Sequence, residues 1–426
     1  MSKKQKRDLM LEAELADEVL NIPEDEIWTY RIEGLQAPRI VDRSVKPRVK
    51  VLIIVFLIFA ISLSIFFSIR AVSNDEFKYA QVDSGYELIK YSNPGQVSEV
   101  SVDFVDGDTS KPYTEIHEYA FNCDEKLVTI NIGKDVEKID CKSFYSCKNL
   151  ENIFVDNDNR YYCDVNGVLY DKALTTVICY PSAHDIYLMR EAGYDFTLPE
   201  DGSITNDDFH KAVSIIADTL AKGEDAAALK EDSTVQKFVK LTGVEDFAKY
   251  AEDYKNTAGI YVIPSTVTEI GKLAFAYSPV TEIYIPVGVK SIGTLGFFKA
   301  EKLKEIYSYT SEKTVSDTVL AKAGKLNAVR SLPDGLEFIG SDAFTYDRNI
   351  TYMYVPASVK EIGHHAFFNM AFKSGDYIEG TAKINVELDE KAFKANTKTG
   401  ESWLPKIENG AFKKNVDVVY SAVREK

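Results

Sequence analysis

The sequence of 426 residues is poor in the residues that usually carry catalysis and metal binding, with five histidines, five cysteines and two tryptophans. It contains no His-Glu-x-x-His, Gly-x-Ser-x-Gly or phosphate-loop pattern and no Cys-x-x-Cys pair. These absences argue against a zinc peptidase, a serine hydrolase, a nucleotide-binding enzyme and a thioredoxin-like protein. An active site assembled from residues far apart in the sequence would show no such motif. We therefore expect no enzyme activity, no cofactor and no bound metal.

Positive charge is also in short supply, because 50 lysines and arginines stand against 66 aspartates and glutamates, for a net charge of −16. Residues 1–50 hold ten charges of each sign, so the whole negative excess lies in residues 51–426. An acidic surface of this kind favours solubility and repels nucleic acids. We expect no nucleic-acid partner.

The few cysteines lie close together along the chain, at Cys123, Cys141, Cys147, Cys163 and Cys179. An odd number leaves at least one thiol unpaired within a single chain. Disulfide bonds form in oxidising compartments, but the spacing of these residues does not demand them. Whether any of the cysteines pair is left open by the sequence.

What the sequence does contain is a repeat built on the pattern Ile-x-x-x-Ala-Phe, which occurs in eight versions. The closest copies lie 22 or 23 residues apart, within the roughly 20 to 29 residues of leucine-rich repeats. A unit this short cannot bury its own apolar face, so its stability has to come from stacking on its neighbours. The sequence therefore predicts a solenoid whose repeats end at Phe121, Phe144, Phe275, Phe297, Phe344, Phe367, Phe393 and Phe412.

Each repeat also shows a short alternating run ahead of its Ala-Phe. Such runs are often closed by proline, as in residues 261–264, 283–286 and 353–356. Alternation with a period of two predicts a strand, and proline fits where the ladder needs no donor. A Val-x-x-Ile-Gly element follows the run, so we expect the strands of successive repeats to stack in parallel.

Two segments resemble one unit of the BspA-type leucine-rich repeats, which occur in bacterial and some protozoan surface proteins. Residues 262–275 read Val-Ile-Pro-Ser-Thr-Val-Thr-Glu-Ile-Gly-Lys-Leu-Ala-Phe, and residues 143–150 read Ser-Phe-Tyr-Ser-Cys-Lys-Asn-Leu. Residues 77–91 resemble the β-hairpin that opens such domains, and residues 161–182 resemble the inserted hairpin of the family. The resemblance implies surface exposure and binding to other macromolecules or cells, and it carries over no catalytic residue.

The resemblance covers residues 77–195 and 259–412. The first two and last two copies depart from the family pattern because they lack its glycine, and the later copies lack its cysteine. Such copies are expected to be distorted or to serve as caps at the ends of the repeats.

One long apolar run sets the expected location. Residues 51–69 carry no charge and, at about 1.5 Å per residue, form a helix long enough to cross ~30 Å of hydrocarbon. Basic residues crowd its N-terminal side, so the positive-inside rule places residues 1–50 in the cytoplasm and the repeats outside. A cleaved signal peptide is the competing interpretation, but a leader of 50 residues favours an uncleaved anchor.

Between two of the repeats lies a segment with helical spacing. Phe209, Val213, Ile216 and Leu220 follow a capping-box pattern at residues 205–208, which predicts a helix and, with the residues after it, a helical insertion. A smaller insertion is expected near residues 311–325. Residues 197–208 resemble half of a calcium-binding loop but lack its first acidic ligands, which argues against calcium.

The expected fold class is α/β, a leucine-rich-repeat solenoid with short parallel strands, a β-hairpin cap and a helical insertion, preceded by one transmembrane helix. The segments in order are the cytoplasmic tail, the transmembrane helix, the juxtamembrane segment with the hairpin cap, repeats with the inserted hairpin, the helical insertion and further repeats. Their bounds are residues 1–50, 51–69, 70–112, 113–195, 196–258 and 259–426.

Two places are candidates for ligand binding. Alternation turns Phe154, Tyr284, Tyr307 and Tyr354 to the outer face of the strands, where an aromatic column would suit a sugar polymer or a protein. Aromatic residues favour strand positions in any case, which is the simpler interpretation. The helical insertion is the other candidate, because insertions in repeat proteins often lie on the binding face. The neighbouring histidines of residues 364–365 fall in a variable pair of the repeat, where any polar residue is accepted.

The expected function is adhesion to, or recognition of, a macromolecular ligand by a single-pass membrane protein with extracellular repeats. Its partner is expected to be a protein or carbohydrate at the cell surface, and one helix is expected to contact the membrane. A non-catalytic structural component of the cell envelope is the alternative. The ligand's identity and the oligomeric state do not follow from the sequence.

Overall fold

The computed structural model divides the chain into two units, Met1–Phe66 and Phe67–Lys426, and all described residues belong to the second. They are residues 77–93, 96–121, 126–194, 196–199, 203–224, 226–311, 318, 321, 324–370, 382–387, 406–408, 410–412 and 416–421. The expected cytoplasmic tail, the apolar run of residues 51–69, Cys123 and Phe393 lie outside them. Within the described ranges, no helix is both long and apolar enough to cross a bilayer.

Short strands occur throughout the described part of this unit. The first eleven are β1 (Phe77–Val82), β2 (Gly85–Tyr91), β3 (Glu99–Val102), β4 (Tyr113–Ile116), β5 (Thr129–Ile132), β6 (Lys138–Ile139), β7 (Asn152–Val155), β8 (Tyr162–Val165), β9 (Val168–Asp171), β10 (Thr176–Cys179) and β11 (Ile260–Val262). The others are β12 (Glu269–Ile270), β13 (Glu282–Pro286), β14 (Ser291–Ile292), β15 (Glu305–Tyr309), β16 (Ala328–Val329), β17 (Phe338–Ile339), β18 (Tyr352–Val355), β19 (Glu361–Ile362), β20 (Ala382–Glu387), β21 (Lys406–Ile407) and β22 (Val416–Ser421).

Helices are concentrated between β10 and β11. They are α1 (His184–Glu191), α2 (Asn206–Ala221), α3 (Ser233–Thr242) and α4 (Phe247–Tyr254), with a 3₁₀ turn at Ala226–Glu231 and a π turn at Lys255–Gly259. Another 3₁₀ turn lies at Val105–Gly107. The predicted capping box is present at the start of α2, where Thr205 and Asp208 exchange hydrogen bonds between side chain and backbone.

The repeats stack their strands in parallel, as the sequence predicts. The short strands before Phe275, Phe297, Phe344, Phe367 and Phe412 join the inserted hairpin in one sheet of order β21-β19-β17-β14-β12-β10-β9-β8, parallel from β21 to β10. Those before Phe121 and Phe144, β4 and β6, pair in parallel in the sheet β1-β2-β4-β6. The longer strands form separate sheets in the orders β3-β5-β7, β11-β13-β15-β16 and β18-β20-β22. At the N-terminal end, the antiparallel hairpin of β1 and β2 pairs in parallel with β4. The predicted short parallel strands are therefore confirmed.

The inserted hairpin continues the repeats across the helical insertion. Its strand β10 pairs in parallel with β12, matching Thr176 with Glu269 and Val177 with Ile270. Tyr180 stacks on Phe275 with ring centroids 5.5 Å apart, so this tyrosine takes the place that phenylalanine has in the other repeats. The inserted hairpin and the repeats after the helical insertion thus share one hydrophobic core, whereas the first repeats pack in a separate cluster.

That core is a stack of parallel phenylalanine rings. Phe275, Phe297, Phe344, Phe367 and Phe412 follow one another at centroid distances of 5.1, 5.1, 5.5 and 5.2 Å, with interplanar angles of 9° or less. The first four are completely buried. Each ring therefore depends on the rings of the coils before and after it, as expected for units that cannot bury their own apolar faces.

Glycine allows the coils to approach this closely. A Cβ atom on Gly340 would lie 2.5 Å from the backbone nitrogen of Thr294, and one on Gly363 would lie 2.5 Å from that of Ser341. No side chain fits at such distances. The glycine of the Val-x-x-Ile-Gly pattern is thus required by the contact between neighbouring backbones.

The helical insertion has a core of its own. Phe209, Phe238 and Tyr250 are almost completely buried and pack against one another, with centroid distances of 5.6 and 5.0 Å. Helix α1 contributes Ile186 and Met189 to the same cluster, although it precedes residue 196, where the insertion was expected to begin. The reason is its apolar face, which packs on the other helices.

Candidate binding surfaces

The structure places the four predicted column residues in three different sheets. Phe154 lies on β7, Tyr284 and Tyr307 lie on β13 and β15, and Tyr354 lies on β18. Only Tyr284 and Tyr307 come together, as direct neighbours whose rings stack at 4.9 Å with an angle of 16°. The column breaks because β16 pairs antiparallel with β15 and ends that sheet before β18.

The expected exposure of this column is also wrong at two positions. Tyr284 is 9% exposed and Tyr354 is 3% exposed. Tyr284 is covered because Ala321 and Leu326, from the second insertion, join it in a small hydrophobic cluster on the face of the sheet. Tyr307 is only partly buried there. The ligand-binding role of all four residues stays a prediction.

Charged side chains surround the stacked tyrosines. Glu282 and Glu305 occupy neighbouring positions two residues before Tyr284 and Tyr307, and Arg330 donates a hydrogen bond of 2.9 Å to Glu305. We name these five residues the Tyr284–Tyr307 patch. Burial, followed by the charge of Glu282, raises the pKa of Tyr284 to about 12, so its hydroxyl group stays protonated at neutral pH.

The edge of this patch carries two further cation contacts. Lys255 lies 2.9 Å from a carboxylate oxygen of Glu282, and the guanidinium of Arg330 lies 5.0 Å from the ring centroid of Tyr352. The side chains of Lys255 and Arg330 are 57% and 41% exposed, so a ligand could reach both. The patch therefore combines aromatic area with charges of both signs.

Sequence reasoning missed a second aromatic arrangement near the Ala-Phe turns. Successive rings meet edge to face at centroid distances of 5.8 to 6.2 Å, in the order Tyr119, Tyr145, Tyr277, Phe298, Tyr346 and Phe368. Lys299 lies within 5.7 Å of three of these rings. The signal that could have found this row is an aromatic residue one or two positions from each of the first six repeat phenylalanines.

Polar contacts tie the helices of the insertion to one another and to the repeats. Asp185 is completely buried, receives a hydrogen bond of 2.7 Å from Tyr254, and lies 2.9 Å from a ring nitrogen of His210. Burial alone would raise the pKa of Asp185, but His210 and Tyr254 together lower it. From the repeats, Lys302 donates to the Ser214 hydroxyl at 2.9 Å and the His210 carbonyl at 3.3 Å.

A cluster of possible metal ligands lies at the turns of two successive repeats. Asp342, His364 and His365 each offer a ligand atom, and these atoms all lie within 4.8 Å of one another. The sequence led us to expect no metal and to treat the two histidines as variable positions. A signal was present, however, because Asp342 and His365 both stand two residues before a repeat phenylalanine and so meet when the coils stack.

The repeats match a known family model. Residues 104–184 and 254–373 match the BspA type leucine-rich repeat region, in six copies. These two regions of the chain carry BspA-type repeats. The resemblance predicted from residues 262–275 and 143–150 is thereby confirmed. Proteins with such repeats are generally non-catalytic binding proteins.

Several solved leucine-rich repeat structures are similar to this chain. The pneumococcal vaccine antigen PcpA is 15% identical over 72% of this chain and 66% of its own, slightly under two thirds, with a TM-score of 0.30. A leucine-rich repeat protein from Eubacterium ventriosum is 16% identical over 74% and 92%, with a TM-score of 0.27. One from Bacteroides ovatus is 14% identical over 82% and 71%, with a TM-score of 0.34. The comparison with curated proteins gave no match.

The four described cysteines are free thiols, of which Cys147 is buried and the other three are partly buried. Cys147, at the family's Phe-x-x-Cys position, is buried and lies 3.0 Å from the carbonyl oxygen of Phe121 in the preceding coil. Cys141, Cys147, Cys163 and Cys179 form no disulfide with one another in the described residues. Burial raises the pKa of the Cys179 thiol to about 12, which keeps it uncharged and unreactive.

Proposed function

We propose that this protein is anchored in the cell membrane by residues 51–69 and presents an extracellular leucine-rich-repeat solenoid that binds a macromolecular ligand. Residues 1–50 would lie in the cytoplasm. Support comes from the uncharged run itself, from the basic residues on its N-terminal side, and from the six BspA-type repeats. The role is adhesion or recognition, with a protein or a carbohydrate as the ligand.

The observation that carries this proposal is the Tyr284–Tyr307 patch. The ring of Tyr307, half-buried and held by stacking on the buried Tyr284, offers contact area on a rigid sheet at a low cost in conformational entropy. Glu282, Glu305 and Arg330 supply directional polar contacts beside them. This mixture of tyrosine and arginine is enriched at the centres of binding interfaces.

The test is retention of the full-length protein, in detergent, on protein and carbohydrate arrays. Tyr307→Ala should weaken retention at least about tenfold, in the range of an interface hot spot. The matched control is Tyr346→Ala, which removes a ring from the edge-to-face row and leaves the patch intact. Equal retention by both variants and the original chain would place the ligand elsewhere, with the helical insertion as the next surface to change.

A separate experiment tests the orientation. Protease added to intact cells should digest the repeats and leave a protected fragment of about residues 1–70, because the basic flank lies inside. Protection of the C-terminal repeats instead would contradict the membrane topology. An oriented protein that retains no array ligand would favour the alternative, a structural component of the envelope.

A further inference from the structure

In four successive coils the position two residues before the repeat phenylalanine has a left-handed backbone, and in three of them it is buried. In two coils it is filled by Leu273 and Leu295, with φ of 59° and 57° and exposures of 7% and 1%. In the next two coils the same position carries Asp342 and His365, with φ of 52° and 53°. Ionisable side chains thus replace leucine at a position where leucine packs well. Such a local conflict with the fold often marks a functional site.

Stacking holds the two coils in register at this point. The Asp342 backbone N–H donates to the carbonyl of His364 at 2.8 Å, and the Thr345 hydroxyl donates to the carbonyl of His365 at 2.7 Å. From the following coil, the Glu408 carboxylate accepts a hydrogen bond of 2.9 Å from the backbone N–H of His364. The backbone that carries these side chains is therefore fixed by three successive coils.

The two imidazole rings converge on one place. A Cβ atom on Gly410 would lie 3.2 Å from Nε2 of His365 and 3.6 Å from Nε2 of His364. The two ring centroids are 3.6 Å apart, and Nδ1 of His365 lies 3.8 Å from Oδ1 of Asp342. Nitrogen and oxygen donors from two coils therefore lie within a few ångströms of one another.

Asp342 supplies an independent sign of a missing partner. It is 5% exposed, and Oδ1 accepts a hydrogen bond of 3.0 Å from the Thr345 hydroxyl, whereas Oδ2 is buried without a hydrogen-bond partner. A buried carboxylate oxygen without a partner is costly unless a cation or a donor satisfies it. The nearby His365 is too distant for a hydrogen bond to this carboxylate.

We propose that Asp342, His364 and His365 bind a divalent transition-metal ion of the zinc type. Two imidazoles and one carboxylate form a donor set that suits zinc, whereas calcium and magnesium prefer oxygen ligands alone. Zinc bonds of about 2.1 Å place tetrahedral ligand atoms about 3.4 Å apart, so the present separations have to shrink. Rotation of the exposed His364 side chain would move its ring nitrogens, and the 3.8 Å between Nδ1 of His365 and Oδ1 of Asp342 would have to close through small rotations of those two side chains.

Metal binding would tie two repeats together by their side chains. Asp342 belongs to the coil of Phe344, and both histidines belong to the coil of Phe367, so the ion would crosslink them through a contact that the backbone ladder does not provide. Because binding to the folded state alone stabilises that state, the melting temperature should rise with metal concentration.

The test is a calorimetric zinc titration of the full chain in detergent, prepared without a histidine tag. We expect one equivalent to bind, and His364→Ala should weaken this binding at least about tenfold, since changes even to residues behind metal ligands have such effects. His364 is exposed, so its loss should leave the fold intact. The matched control is His117→Ala, which removes a histidine that lies 2.7 Å from Glu87, outside this cluster, and should bind zinc as the original chain does.

Melting temperatures and a cobalt spectrum decide whether the metal binds at this site or at the cysteines. Zinc should raise the melting temperature of the original chain and of His117→Ala, but not that of His364→Ala or of Asp342→Asn. Cobalt bound at the cluster should give a visible spectrum without a thiolate charge-transfer band. Absence of binding, equal binding by His364→Ala, or a thiolate band would each overturn the proposal.

Discussion

The repeats and the helical insertion bury aromatic side chains in different ways. In the repeats, Phe297 lies between Phe275 and Phe344 with nearly parallel rings, and the stack continues from coil to coil. In the insertion, Phe238 meets Phe209 and Tyr250 at angles of 49° and 70° around a single centre. A coil therefore has only a share in a common core, whereas the insertion has a core of its own. The two regions should respond differently when one ring is removed.

The largest effect is expected from the ring in the middle of the stack. Phe297→Ala should cost about 3 to 5 kcal/mol of stability, because a buried aromatic ring is lost and a cavity remains. Since coils stabilise one another, faster hydrogen exchange should spread to β12, β14 and β17 in the neighbouring repeats. Hydrogen exchange measured by mass spectrometry shows how much stability is lost and which strands lose it.

The matched change in the other region is Phe238→Ala. Its local cost should be similar, because Phe238 is 1% exposed, but faster exchange should stay within α1, α2, α3 and α4. Exchange that spreads from Phe238 into the phenylalanine stack would contradict the separation of the two cores.

The repeats could be predicted because the same residue types return at the same positions. Tyr180 was missed as a member of the stack because the inserted hairpin has no Ala-Phe pattern, yet its aromatic ring fills the same space. The proximity of Asp342 and His365 was missed because the two residues are far apart in sequence and meet only when their coils stack. It can be found in the sequence only by comparing the same position in successive repeats.

Interruptions of the repeat explain the other errors. The predicted column placed Tyr307 and Tyr354 on one outer face of stacked strands, but β16, which follows the second insertion, pairs antiparallel with β15 and ends that sheet before β18. The same insertion covers Tyr284. The segment predicted to hold repeats, residues 113–195, includes α1, whose apolar residues pack in the core of the insertion. In each case a distant segment decided the environment of the residue.

Buried carboxyl groups distinguish the two regions further. Because of them, a fall in pH should destabilise the helical insertion and stabilise the repeats. In the insertion, the pKa of Asp185 is lowered by His210 and Tyr254 against the effect of burial. The ionised Asp185 therefore stabilises the folded state at neutral pH, and this contribution is lost as the pH falls below 3.8, the ordinary pKa of an aspartate. In the repeats, burial raises the pKa of Asp347 well above 3.8, so its destabilising effect at neutral pH disappears as the pH falls.

We therefore expect the helices to open before the repeats on acidification. Asp185→Ala should destabilise the helices already at neutral pH. It should lower the free energy of unfolding by about 1 to 3 kcal/mol, because Tyr254 and His210 lose their buried acceptor. Circular dichroism of the helical signal, followed against pH, measures the effect. Asp347→Asn is the control, because it should leave the acid response of the helices unchanged. If the repeats unfold at a higher pH than the helices, the predicted direction of the pH effect on the two regions is wrong.

The smallest effects are expected where the two regions touch, and two lysines of one segment form a matched pair there. Lys302 donates to two acceptors on α2, whereas Lys304 forms an exposed ion pair of 2.9 Å with Asp218. Lys302→Met keeps the apolar stem and removes the donors, so it should cost roughly 1 kcal/mol. Lys304→Met should cost less than about 0.5 kcal/mol, since exposed ion pairs are screened by water and salt.

Hydrogen exchange in α2 is the measurement for this last pair. The Lys302 variant should exchange faster there at any ionic strength, while the Lys304 variant should differ from the original chain only at low salt. Equal effects at both positions would mean that long-range charge, rather than the half-buried hydrogen bonds of Lys302, holds the insertion against the repeats. The insertion would then be released by salt alone, and its position would depend on the acidic surface as a whole.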